Sequence, residues 1–148
     1  ELADRKKDIS DKDIEALVEE KVARIPEVFQ LETYQISSGD KVVSTATISV
    51  RRNGNVYTEA ATGDGPIDAA FKAMERAVGF ALSLEDYSLR AVTGGKDALG
   101  EVNVRVSKNG SEFTGRGVST DIIEASVRAY LSAINRVLSE LGEGIIER

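Results

Sequence analysis

The chain contains no cysteine, no histidine and no tryptophan, and only two prolines and one methionine. Without cysteine there is no disulfide and no thiolate metal site, and without histidine the commonest general base and transition-metal ligand are missing. Most arrangements for nucleophilic or metal-assisted chemistry are thereby closed off. Long apolar runs are also missing. None approaches the roughly 20 residues that span a bilayer, and no signal-peptide pattern opens the sequence, so the expected location is the cytoplasm. Basic residues are in deficit, 19 against 25 acidic ones, for a net charge of -6. That is the wrong sign for neutralising phosphates, so neither nucleic acid nor an anionic membrane is expected as a partner.

What is present fits one folded domain: 148 residues, 41% hydrophobic and 30% charged, with no low-complexity segment. Residues 1–26 read as a linker helix, with Ser10 as N-cap, Ile14, Leu17, Val18 and Val22 on one face, and Pro26 at the end. Residues 27–148 read as a separate domain. Within it, residues 29–82 and 85–141 form an internal repeat that aligns without a gap at an offset of 56 residues.

In the first copy Thr47 to Val50 lead through Arg51 and Arg52 to Asn53-Gly54; in the second Asn103 to Val106 lead through Ser107 and Lys108 to Asn109-Gly110. Each Asn-Gly pair predicts a two-residue hairpin turn, because both residue types tolerate the positive φ that such turns require. Each hairpin is followed by an apolar stripe at helical spacing, predicting a helix of about five turns. The stripes are Ile67, Phe71, Met74, Val78 and Ala81 in one copy and Ile123, Val127, Tyr130, Ile134, Val137 and Leu141 in the other. At the same offset, Leu31, Thr33 and Gly39 stand opposite Tyr87, Leu89 and Gly95. The expected fold is therefore α+β: two pseudo-symmetric βββα units in one domain, preceded by the linker helix. A single such unit cannot cover its apolar face, so the two should pack together, with residual apolar surface favouring dimers.

Three segments could carry binding. Gly63-Asp64-Gly65-Pro66 precedes the first helix with proline at its first position, and such a start can take a carboxylate on backbone N–H groups, or be no more than a turn and cap. Gly117 to Asp121 opens the second helix, with Ser119 and Thr120 as alternative caps. Ala91 to Gly100 is rich in small residues, and reads either as a wide hairpin loop or as space for a side chain of modest size. Asp64, Asp68, Asp97, Asp121 and Glu124 form no calcium-loop spacing, and acidic residues at helix starts are expected on electrostatic grounds, Asp68 and Asp121 among them.

Taken together, Gly63 to Ala69, Asp86-Tyr87 leading to Asp97-Ala98, and Gly115 to Ser126 resemble the C-terminal regulatory domain of α-isopropylmalate synthases, across residues 27–141. The lead Ala3 to Leu17 resembles the linker to the catalytic barrel of that family. The resemblance implies a parent enzyme, an acyltransferase using a divalent metal, that condenses acetyl-CoA with 2-oxoisovalerate. It implies feedback inhibition by leucine bound between two regulatory domains, and a chain with no catalytic residue, metal or cofactor of its own. Citramalate synthases use a similar domain for isoleucine, and a purely structural dimerisation module is the remaining alternative. Carried over by motif, Gly63, Asp64, Gly65, Pro66 and Ile67 form one wall of an effector site. Leu84, Tyr87, Ala91, Asp97, Ala98 and Gly100 form its apolar end and loop, and Val118, Ser119 and Thr120 close the far side. In this reading Asp64 or Asp97 takes the ammonium, while Leu84 and Tyr87 enclose the alkyl chain.

Overall fold

The computed structural model describes residues 26–92 and 98–147. The linker helix expected over residues 1–26 therefore lies almost wholly outside the described residues. Strands β1 (Gln30–Gly39), β2 (Val42–Arg52) and β3 (Asn55–Gly63) form one antiparallel sheet, followed by helix α1 (Pro66–Val78). Strands β4 (Ser83–Ala91), β5 (Gly100–Lys108) and β6 (Ser111–Ser119) form a second, followed by helix α2 (Ile122–Leu141) and a short 3-10 turn, Glu143–Ile145. The expected pair of βββα units is what the chain builds. Both Asn-Gly turns close their hairpins with positive φ at each residue, 51° and 81° at Asn53-Gly54 and 53° and 82° at Asn109-Gly110.

Two expectations are corrected. The helices are unequal: α2 runs for 20 residues, but α1 stops after 13, where Gly79 adopts φ 90° and returns its N–H to the carbonyl of Glu75. Ala81, assigned by spacing to the α1 stripe, lies beyond the helix and is exposed. The repeat also contains a gap. Leu31, Tyr34 and Ile36 pair with Val50, Ile48 and Ala46, whereas Leu84, Tyr87 and Leu89 pair with the corresponding Val106, Val104 and Val102. The leading strands thus correspond at an offset of 53 residues (Leu31 to Leu84), not 56. The difference is absorbed between β4 and β5, joined by residues 92–99, where β1 and β2 are joined by Asp40 and Lys41 alone. Leu84 and Tyr87 share a face although three residues apart, because the register slips by one between Leu84 and Asp86, as it does between Leu31 and Thr33.

Each helix covers the central strand of its sheet. Ala46, Ile48 and Val50 on β2 and Val102, Val104 and Val106 on β5 are buried beneath Met74 and Val78 of α1 and Val127, Ile134 and Val137 of α2, in one continuous core. Contact between α2 and β6 is close enough to exclude side chains. A Cβ at Gly115 or Gly117 would lie 2.1 Å from the carbonyl oxygen of Ala129 or Ala125. The Gly-Arg-Gly sequence is therefore a packing surface for a helix rather than a ligand turn.

The units meet through aromatic rings and buried polar groups. Phe71 stacks on Tyr130 at 4.0 Å between centroids, and the Tyr130 hydroxyl donates to Glu75 Oε2 at 2.7 Å. Burial and the adjacent carboxylate push the Tyr130 pKa well above the ordinary tyrosine range. The side chain of Asn135 accepts from the N–H of Phe29 and donates to its carbonyl, each at 2.9 Å. At Gly115 the clash is with backbone and cannot be relieved by a rotamer change, so Gly115→Ala is expected to cost about 3 kcal/mol or more. Urea unfolding followed by circular dichroism should show a lowered midpoint at unchanged slope.

Candidate functional site

On the second unit the β4 row facing the helix layer, Leu84, Tyr87, Leu89 and Ala91, is poorly covered: Leu84 is 46% exposed and Leu89 44%. At its end lies a groove of about 400 Å³ lined by Leu89, Arg90, Ala91, Ala98, Leu99, Gly100, Thr120 and Ile122. That volume suits a small ligand. Gly100 forms part of the floor: a Cβ there would sit 3.5 Å from Leu89 Cδ1 and 3.8 Å from Ile122 Cγ1.

The corresponding place in the first unit carries hydroxyl side chains. By register Ser44 stands where Gly100 stands, and its buried hydroxyl is 2.7 Å from that of the exposed Ser38 on the equivalent surface. The two helix starts differ in the opposite sense. At α2 the N-cap is Asp121, which accepts from the N–H of Ile123 at 2.9 Å and from the Tyr34 hydroxyl at 3.2 Å. Burial and this carboxylate raise the Tyr34 pKa. At α1 the equivalent residue is Gly65, with φ 121° and no side chain to cap with.

Of the residues carried over by motif, the structure brings Ala91, Ala98, Gly100 and Thr120 together around the groove. Leu84 and Tyr87 lie on the same strand face, but the Tyr87 hydroxyl is engaged with Ser126 Oγ at 2.7 Å and its ring lies against Phe71. Val118 pairs with Glu101 on the other face of the sheet. Ser119 is a bridge within the α2 start, accepting from Asp121 N–H and donating to Glu124. The cap is therefore Asp121, one of the acidic residues expected at the helix starts, rather than Ser119 or Thr120. Asp97 lies outside the described residues.

The stretch Gly63 to Ile67 sits at the start of α1, and none of its residues lines the groove. Few backbone donors are open at this helix start. Pro66 has no N–H, and Ala69 donates to Gly65 O, so Ile67 and Asp68 are left as the first-turn donors without a partner among the described residues. Gly63 is required by packing, since a Cβ would lie 2.4 Å from Ala69 N. Leu89, Arg90, Leu99 and Ile122 line the groove without having been singled out. Ile122, an apolar first helical residue 48% exposed, was the one with a detectable signal. Among the described residues there is no cluster of acidic side chains placed to hold a metal, and no helix long and apolar enough to cross a membrane.

Comparison with known proteins places this arrangement. Residues 8–138 match the family described as the LeuA allosteric (dimerisation) domain. The chain is 61% identical over 148 residues, all of its length, to a 2-isopropylmalate synthase from Ruminiclostridium cellulolyticum, of which it covers 29%. It is 51% identical over 140 residues, 95% of its length, to that of Clostridium kluyveri, covering 27%. With that of Brevibacillus brevis it shares 50% over 143 residues, 96% of its length, covering 28%. The chain thus spans less than a third of the length of these relatives.

Asp68 gives a test of the α1 start. Its Oδ2 accepts from the Asp64 N–H at 2.9 Å and pairs with Lys72 at 3.0 Å, and the backbone bond followed by Lys72 holds its pKa below the ordinary aspartate value. A depressed folded pKa stabilises above the unfolded value and loses that contribution as pH falls through the folded one. Asp68→Asn should therefore melt below wild type near neutral pH, and the gap should close as pH falls below about 3.8. Thermal unfolding across that range checks it.

Proposed function

The chain belongs to the LeuA allosteric (dimerisation) domain family, and from that membership we propose that it is the effector-sensing part of a 2-isopropylmalate synthase, binding leucine in the groove of its second unit and acting as a homodimer. The parent enzyme, in this reading, condenses acetyl-CoA with 2-oxoisovalerate on a metal-dependent barrel elsewhere in the polypeptide, and this chain contributes no catalytic group.

The observation that carries the reading is the groove itself. An apolar concavity of about 400 Å³ is bordered by Ala91, Ala98, Gly100 and Thr120, the small residues that spacing and motif had marked for an alkyl side chain. Leu89, Leu99 and Ile122 supply apolar contact, and burying a leucine side chain against such a lining contributes about 1.5–3 kcal/mol. The ligand's charged end needs hydrogen bonds to offset its desolvation. A partner subunit covering the exposed β4 row would complete the enclosure and make binding and dimer geometry depend on one another, as allosteric coupling requires.

Isothermal titration with leucine, isoleucine and valine, beside sedimentation, tests this. Saturable leucine binding near one per subunit by a dimer is expected. Gly100→Ser, which installs the residue that the first unit carries, should abolish it, and the ordinary Cβ contacts at that position mean the fold survives. Tighter binding of isoleucine would reassign the effector, and a dimer giving no heat with any of the three would leave a structural module.

A further inference from the structure

The outer face of the second sheet carries a charge cluster that ligand contact alone does not explain. Glu101 lies on the side of β5 away from α2, opposite Arg90 on β4 and Val118 on β6, yet it is only 3% exposed. Its Oε1 accepts from Arg90 Nε at 3.3 Å and Nη2 at 3.1 Å, and its Oε2 from Arg116 Nε at 3.0 Å and Asn103 Nδ2 at 2.9 Å. A carboxylate this far from water is unfavourable unless its lone pairs are filled, and donors from three strands fill them. Burial pushes its pKa up, but the bonds from Asn103, Arg116 and Arg90 outweigh burial and hold it below the ordinary value.

Position gives the cluster its meaning. Arg90 immediately precedes Ala91 and Glu101 immediately follows Gly100, so the pair joins β4 to β5 directly behind the groove, beside the bond from Val92 N–H to Leu99 O at 3.0 Å. The first unit has nothing comparable. At the corresponding register positions it carries Ser37, Thr45, Thr47 and Ala60 in place of Arg90, Glu101, Asn103 and Arg116. The unit with the ion cluster is also the unit with the longer β-hairpin connection and the groove.

We propose that Glu101 is a positioning residue for the groove: by fixing Arg90 and the ends of β4 and β5, it holds Ala91, Val92, Leu99 and Gly100 in one geometry, so that the site is formed before the ligand arrives. Its ligand rests on the proposed function; its mechanics do not. Preorganisation of this kind lowers what binding must spend on ordering the site.

The test compares Glu101→Gln with wild type in the same 148-residue chain. By NMR-detected hydrogen exchange the Val92 amide should open about tenfold faster in the variant, while the Val104 and Val106 amides change by less than about twofold. Leucine affinity should fall by about tenfold. A merely structural role would accelerate all three amides together and leave affinity unchanged, and that result overturns the proposal, as does an unchanged Val92. If Glu101→Gln fails to fold, Arg90→Met, whose parent side chain is mostly exposed, should give the same local signature. Should wild type bind no branched-chain amino acid while Val92 responds as expected, the ligand is wrong and the positioning role stands.

Discussion

The stack of Phe71 on Tyr130, locked by the Tyr130 hydroxyl on Glu75, is the contact on which the two-unit architecture depends. A three-stranded sheet with one helix leaves apolar surface on the helix side, and neither unit buries enough to stand alone. The stack joins α1 to α2 at 4.0 Å, and Glu75 extends it by also accepting from the N–H of Leu82, which fixes the connection leading into β4. Tyr87 on β4 then lies against the edge of the same aromatic group and bonds Ser126 on α2. The strand that borders the groove is therefore held by the seam between the units. Phe29 held by Asn135, Arg52 paired with Glu143 and the Glu147 N–H on Gly79 O bind the remaining edges.

Around that seam the two copies have diverged in complementary ways. The first unit carries the bonded Ser38 and Ser44 where the second has Ala91 and Gly100, and hydroxyl-bearing or small residues where the second has its ion cluster. The second unit keeps its helix start closed with Asp121 and leaves its side-chain groove open. The first leaves its helix start without a side-chain cap at Gly65 and sets Ser44 where the second has Gly100. Duplication supplied two equivalent frames, and the substitutions assign different work to each.

Much of this was legible in the residues because the strongest signals are local. Positive φ at Asn53-Gly54 and Asn109-Gly110 follows from residue chemistry, and the stripes of Phe71, Met74, Val127 and Ile134 follow from helical period. The gap in the repeat was hidden by a register slip. Because each leading strand takes an extra residue, the three-residue displacement still sets Leu31 against the inward-facing Tyr87 and Gly39 against Gly95, although beyond the slip it sets Thr33 against Leu89 and Tyr34 against Arg90. The end of α1 was overrun because Ala81 continues the apolar spacing past Gly79, and period alone does not register a left-handed cap. At the site, small residues marked the groove, but Leu89 and Arg90 depend on strand register, and the partners of Glu101 come from three strands that only folding brings together.

Leucine and isoleucine present the same charges and nearly the same volume, and an apolar pocket separates such isomers by only about 1–3 kcal/mol. A site built from Leu89, Leu99 and Ile122 cannot choose between branching patterns by chemistry, because every contact is equally apolar. It can choose by shape, and only if its walls do not move to accommodate the wrong isomer. A floor of glycine and alanine has no long side chain that could rearrange into a better fit. A rim tied by four hydrogen bonds to a buried carboxylate resists backbone displacement where strands β4 and β5 would otherwise fray. Rigidity at the rim and smallness at the floor are the two conditions under which an apolar groove of this size becomes selective, and the second unit meets both.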